Sequence, residues 1–358
     1  MLSVRTFANL IVMISLAVKT VRRVIGAVAG VLLTLGASAT AEAATLDDVR
    51  SRGHLLCGVA DGPLGFSHVD EQGRWSGLEV DFCAAVAAAI FGDKSAVKFR
   101  SLPAAERFAA LRSGDVDLLA RSATWTLSRD MDLGIKFVDT LFYDGQAMMV
   151  RRSQGITSVL ELSGASICLL ANGPAQQNVR EFFGHRGMRF TLVASDSWDQ
   201  AVQGYANKRC MALSADMSTL ALTRTTLPDP DEHQFLPEVL SKEPRGPAVR
   251  QDDPQWFGII RWVLFALLTA EEYGITSSNV ESAKASNFVE VRRLLGTEGD
   301  LGASLGLSRT WAYDAIQQVG NYGEIFERNL GKNSALKLER QINNLWSQGG
   351  LMQAPPFR

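Results

Sequence analysis

Residues 121–130 read RSATWTLSRD and follow the apolar run VDLLA. Ser122 and Thr124 bring small hydroxyls and backbone amides, and Arg129 brings a guanidinium five residues beyond Thr124. Such donors beside an arginine suit a carboxylate, because the planar guanidinium can meet both of its oxygens at once. Three other places carry matching chemistry. Residues 60–66 follow HLLCGV and supply Asp61, bare backbone and the apolar Leu64. Ala171, Asn172 and Gly173 follow SICLL, and Asp216 closes CMALSAD. A fixed cation, a carboxylate or two, hydroxyls and backbone donors together fit the zwitterion of a free amino acid. Taking that zwitterion out of water is costly unless both charged ends are paired, so Arg129 and Asp216 belong in one argument. Each residue also has a plain structural role: Asp216 suits the cap of MSTLALT, Thr126 the cap of the turn carrying Arg129, Trp125 packing, and Asp61 a turn. Their shared position after apolar runs, in two halves of the chain, favours a site.

The elements that must position these residues follow an α/β rhythm. HLLCGVA, AVKFRSL and VDLLA read as strands, separated by helices in DFCAAVAAAIFG and PAAERFAALRSGD. Pro103 near the start of that second helix and Gly114 at its end are the expected asymmetry. The rhythm repeats from about residue 150, with SICLLANG, MRFTLVAS and CMALSAD as strands and PAQQNVREFFGHRG, SWDQAVQGYANK and MSTLALTRTTL as helices. This pattern predicts two α/β units, each a mainly parallel sheet covered by helices. YDGQAMMV reads as one extended segment between them, SKEPRGPAVRQDDPQW as the far edge of the second, and the chain from Trp256 onward as helical. In open α/β sheets ligands bind beyond the carboxyl ends of the strands, which is where the residues above fall.

The chain has 358 residues, enough for two domains, and its net charge of −2 gives no basic footprint for nucleic acid. Lys19, Arg22 and Arg23 precede the apolar residues 24–39, and AEA follows at 41–43, the layout of a secretory signal peptide cleaved near Ala43. The apolar run is shorter than the ~20 residues of a membrane span, and a start at Met13 would give a signal of ordinary length. Removing residues 1–43 takes four basic residues (Arg5, Lys19, Arg22, Arg23) and one acidic (Glu42) from totals of 36 and 38, leaving −5. Export to an oxidising compartment favours disulfides over metal for the four cysteines. Pairing Cys57 with Cys83 and Cys168 with Cys210 is the simplest of three schemes, and buried free thiols are the alternative. His54, His68, His185 and His233 have no metal-ligand spacing. GASLG at 302–306 matches GxSxG, but no histidine follows it, and GTEGDLG does not fit a dinucleotide fingerprint. No cofactor or metal is expected.

The chain resembles the extracellular solute-binding proteins of bacterial ATP-driven amino-acid importers, and among them the general L-amino-acid binding proteins. The segments that carry the resemblance are CGVADGPLGFS, GRWSGLEVDFCAAVAAAIFGD, ERFAALRSGDVDLLARSATWTLSRD, YDGQAMMV, SKEPRGPAVRQDDPQWF, LLGTEGDLG, VGNYGEIFERN and GGLMQAPPFR, spread over nearly all of residues 45–358. It implies a type II periplasmic binding fold with two extended crossings. Residues 1–43 would be the signal peptide and 44–148 the first part of lobe 1. Lobe 2 would be 149–250, with 251–358 returning to lobe 1 and ending in a helical extension. It implies further that Arg129 binds an α-carboxylate with help from Ser122 and Thr124, that Asp216 binds the ammonium, that Asp61 lies near the ligand and that Ala104 belongs to a side-chain subsite. The sequence departs from the family at Gly173-Pro174, where relatives usually carry Gly-Thr, at Ser122-Ala123-Thr124-Trp125 in place of Asn-Thr-Thr-Trp, and at Ala212–Ala215 before the aspartate. The function implied is that of a monomeric periplasmic component of an ABC importer, binding free L-amino acids between the lobes and docking on an inner-membrane permease, without catalysis. Two rivals share the fold: a lyase or dehydratase using a cleft carboxylate such as Asp61, and a sensory binding protein.

Overall fold

The structure is a computed structural model that describes residues 45–62 and 64–358. The expected signal peptide, its cleavage point and the choice between Met1 and Met13 lie outside the described residues. Helix α1 (Thr45–Arg52) leads into β1 (Leu55–Val59), followed by β2 (Val97–Ser101), β3 (Leu118–Leu119) and β4 (Ile135–Phe137). Between these strands lie α2 (Leu78–Phe91), α3 (Arg107–Arg112) and α4 (Leu127–Asp132). Strand β5 (Phe142–Asp144) then leaves the first sheet, and β6 (Gln146–Arg151) enters a second, completed by β7 (Ala165–Leu170), β8 (Phe190–Ser195), β9 (Ala212–Asp216) and β10 (His233–Phe235). Helices α5 (Pro174–His185), α6 (Trp198–Ala206) and α7 (Met217–Thr226) cover it. The chain returns through β11 (Glu243–Arg245) and β12 (Ala248–Arg250).

Each sheet has five strands, in the orders β2-β1-β3-β12-β4 and β8-β7-β9-β6-β10. Both sheets are mainly parallel, as expected, with four of five strands running one way, and each is mixed through a single reversed strand. Strands β1, β2 and β3 are parallel, as are β7, β8 and β9, but β12 is antiparallel to β3 and β4, and β6 to β9 and β10. The cause is the route of the chain. The parallel strands end at the side facing the other sheet, whereas β6 and β12 arrive from that side and must run the opposite way. The two crossings also pair with each other, Glu243 with Asp144 and Arg245 with Phe142, as a short antiparallel ribbon.

The core explains why these segments fold as they do. Strand β1 is covered on both faces, which suits its unbroken apolar sequence LLCGV. Helix α2 buries Leu78, Val80, Phe82, Ala85 and Val86 among others, its alanines letting α8 (Trp311–Val319) approach closely. Gly77 starts it at φ 132°, where a Cβ would stand 2.1 Å from the Phe66 carbonyl oxygen. Among the described residues no helix is long and apolar enough to cross a membrane. Helices continue after residue 254 as far as Asn329, but the expected helical extension stops there. Residues 330–358 are irregular apart from two three-residue 3-10 turns, and they bury Leu330, Leu336, Leu338, Leu345, Met352 and Phe357. Scattered single anchors, rather than a helical stripe, account for that form. The cysteines pair as Cys57–Cys83 and Cys168–Cys210, with Cα separations of 6.4 and 5.7 Å, so no free thiol remains. Each bond stays within one sheet unit, linking β1 to α2 and β7 to the residues just before β9.

Candidate functional site

Arg129 sits in the first turn of α4, which is capped by Thr126 as its position after β3 suggests. Its Nη1 donates to the Thr124 carbonyl at 2.8 Å, and its guanidinium lies 5.8 Å from the centre of the Phe108 ring. Arg129 makes no ion pair among the described residues, so its charge is free for an anion. The hydroxyls expected to assist it point elsewhere. Ser122, held at φ 40°, donates through both its amide and its Oγ (2.8 Å) to Glu79 Oε1. Thr124 Oγ1 donates to Glu243 at 2.8 Å. Trp125 packs on Phe137, as a structural residue would.

Glu79 and Glu243 were not among the expected site residues. Glu79 is almost fully buried and also accepts from Ser67 Oγ at 3.2 Å. Burial raises its pKa above the ordinary carboxylate value, against the pull of the Ser122 donors. Its hydrogen bonds fix the backbone turn that carries Ser122, Thr124 and then Arg129.

Asp216 ends β9 at the N-cap position of α7, yet its side chain makes no capping bond. It accepts instead from Arg245 Nη2 at 2.8 Å. Arg245, unsuspected from the sequence, also pairs with Asp144 at 2.8 Å and donates to Ser218 Oγ at 3.0 Å. Burial raises the pKa of Asp216, the like charge of Asp144 adds to this, and Arg245 opposes it. Two carboxylates thus share one guanidinium, leaving a net negative charge that Glu243 reinforces. Such a place can take an ammonium group.

Arg129 and Asp216 are joined through a short chain of contacts. Arg129 holds Thr124, Thr124 forms an isolated β-bridge with Arg245, and Arg245 holds Asp216. The cationic end therefore belongs to the first sheet unit and the anionic end to the second, with the return crossing between them. The other expected residues lie at strand ends without joining this network. The Asp61 amide donates to Ser101 Oγ at 3.1 Å and its side chain is exposed. Leu64 and Ala104 are also exposed. Gly173 is the N-cap of α5 with Pro174 at its first position, where a missing amide hydrogen costs the helix nothing but gives a ligand no donor. Buried Gln146 ties this end of α5 to β9, donating to the Ala175 carbonyl and to Ser214 Oγ.

Ser304 of GASLG stands on a 3-10 turn, and the described residues contain no group of histidine, cysteine and carboxylate side chains able to hold a metal.

Comparison with known proteins gives the same picture. A family model described as bacterial extracellular solute-binding proteins, family 3, matches residues 55–278. The general L-amino acid-binding periplasmic protein AapJ of Rhizobium johnstonii is 46% identical over 93% of this chain and 98% of its own length. The glutamate/glutamine/aspartate/asparagine-binding protein BztA of Rhodobacter capsulatus is 46% identical over 93% of this chain and 98% of its own. Among solved structures, a periplasmic binding protein from Brucella ovis with glutathione bound has a TM-score of 0.76 at 48% identity, covering 88% of this chain and all of that one. These relatives are named as binding proteins, not as enzymes, and the architecture is the type II periplasmic binding fold.

Proposed function

Because this chain belongs to the family 3 bacterial extracellular solute-binding proteins, we propose that it is the periplasmic substrate-binding component of an ABC importer and takes free L-amino acids between its lobes. The observation that supports this most is the division of charge. Arg129, with no carboxylate partner among the described residues, stands on the first lobe; Asp216, sharing Arg245 with Asp144, stands on the second. An α-carboxylate on Arg129 and an α-ammonium at Asp216 would engage both lobes, and both interactions exist together only when the lobes are close. Ligand then favours closure by the difference in interaction between the two forms. The closed form would dock, as a monomer, on an inner-membrane permease, after removal of a signal peptide near Ala43. Lobe 1 would comprise 44–148 and 251–358, and lobe 2 149–250. Asp61, Leu64, Ala104 and Gly173 would border the ligand, and Ser122 and Thr124 would position Arg129 through the turn they share.

The glutathione of the Brucella ovis protein favours a second reading, a small peptide presenting the same amino-acid head through a γ-linkage. Calorimetric titration of the mature protein, refolded to remove carried ligand, against the twenty amino acids and glutathione tests both. Arg129→Ala should abolish binding of every amino acid, and Asp61→Ala should change the order of preference. Normal binding by Arg129→Ala would remove the carboxylate assignment.

A further inference from the structure

Arg129 is not the only arginine at its end of the first sheet. Arg107 opens α3 just beyond β2, and Arg121 follows β3, so all three lie at the carboxyl ends of parallel strands. Arg107 and Arg129 share one aromatic ring, their guanidinium carbons 4.6 and 5.8 Å from the centre of Phe108. The protein partners of the three are carbonyl oxygens: Ala104 for Arg107 at 2.7 Å, Leu102 for Arg121, Thr124 for Arg129. Arg107 Nε is buried and has no hydrogen-bond partner among the described residues. None of the three forms an ion pair there, although other partly buried arginines do, as in Arg52–Asp117, Arg245–Asp144 and Arg340–Glu271.

Gathering three cations without a counterion costs free energy, and burial makes it worse. The cost shows in Arg107, whose pKa falls to about 10 through burial and then through the like charges of Arg121 and Arg129. Glu79 is the carboxylate that Arg121 feels, but its oxygens are turned to Ser122 and Ser67. One α-carboxylate would satisfy Arg129 and leave the other two cations uncompensated.

We propose that Arg107 and Arg121 form a second carboxylate subsite beside Arg129, so that the cleft selects ligands bearing a second carboxylate besides the α-carboxylate of the amino-acid head. This rests on the amino-acid-binding reading above. Two sources share the chemistry: the side chain of an acidic amino acid, and the C-terminal carboxylate of a small γ-glutamyl peptide. Planar guanidinium donors aimed at a partly desolvated carboxylate would discriminate against the isosteric amide, which brings no charge to the pair.

The test is calorimetric titration of the ligand-stripped mature protein with L-glutamate, L-glutamine and glutathione. The wild type should bind glutamate or glutathione at least about tenfold tighter than glutamine, the size expected of a charge-assisted interaction. Arg107→Gln with Arg121→Gln should weaken the dicarboxylate by about tenfold or more and glutamine by a clearly smaller factor. A preference for glutathione over glutamate assigns the second carboxylate to a peptide, and the reverse to a side chain. Wild-type affinity for both glutamate and glutathione no greater than that for glutamine overturns the subsite while leaving amino-acid binding intact. Failure to bind any of the three or any free amino acid overturns both. The wild-type ratio decides the matter even if the double variant does not fold.

Discussion

At the scale of single residues, Arg245 and Asp216 carry the clearest consequences. Asp144 is wholly buried and depends on Arg245, with further bonds from Ser218 Oγ at 2.6 Å and the Gly145 amide at 2.9 Å. Arg245→Ala would leave that carboxylate without its cation, and breaking a buried pair in this way typically costs about 3–5 kcal/mol. The remaining donors to Asp144 place the expected loss near the lower end, to be read as a shift in the urea midpoint. Asp216 makes a prediction in pH. Its pKa is raised above 3.8 by burial and by Asp144, so it gains a proton at higher pH than an ordinary aspartate. Protonation removes the charge that would hold an ammonium. Affinity should therefore be full at neutral pH and begin to fall, as pH is lowered, while still above 3.8. Asp216→Asn should bind about tenfold more weakly or worse at neutral pH, with that decline flattened. A decline of unchanged size in calorimetry of the variant would assign the effect to another group.

At the scale of elements, the crossings govern how the two lobes meet, and Gly145 is a tight point between them. A Cβ there would stand 2.2 Å from Val239 Cγ1 and 2.5 Å from the Ser241 carbonyl oxygen, so the two crossings are in contact at this residue. Gly145→Ala must push them apart, and overpacking of this kind costs about 1–3 kcal/mol. A lowered melting temperature together with altered ligand affinity is expected; a stable variant with normal binding would show that the ribbon yields easily. How far such features could be read beforehand depends on where their causes lie. The runs LLCGV and ASICLL, and helices such as MSTLALTRTT, are local patterns of apolar period and punctuation, so their elements were legible. The one reversed strand of each sheet was not, because β6 and β12 are turned by the path between lobes, which no short window records. Arg129 and Asp216 stood out because one follows and the other closes an apolar run. Glu79 falls just before the helix expected from DFCAAVAAAIFG, where nothing singles it out, and its tie to Ser122 spans 43 residues. Glu243 and Arg245 lie in SKEPRGP, which reads only as the far edge of the second unit until β11 pairs with β5.

At the scale of the whole molecule, the C-terminal segment connects parts that a simple two-lobe picture keeps separate. Leu330 and Leu336 are buried against the loop that follows β1, close enough that a Cβ on Gly65 would meet Leu336 at 2.6 Å. The same segment reaches the second lobe, where Arg224 of α7 donates through Nη2 to the Leu336 carbonyl at 2.6 Å while stacking on Phe235 at 4.6 Å. The first contact is apolar packing and the second rests on the Arg224 guanidinium, which also donates to the Lys337 carbonyl at 3.4 Å, so the second should yield first when the lobes separate. Arg224 thus favours whichever lobe arrangement lets it reach Leu336, and contributes no more than charge-assisted bonds can, about 1.5–3 kcal/mol each. Arg224→Ala should leave the apolar anchoring intact and shift the population toward wider separation. Small-angle scattering of the ligand-stripped protein should show a larger radius of gyration than the wild type, and ligand affinity should fall because binding must first recover the lost closure. Saturating ligand should bring the two radii together. An unchanged radius with unchanged affinity would mean that the segment merely lies across the second lobe, and that closure is controlled by the crossings and the charges at Arg129 and Asp216.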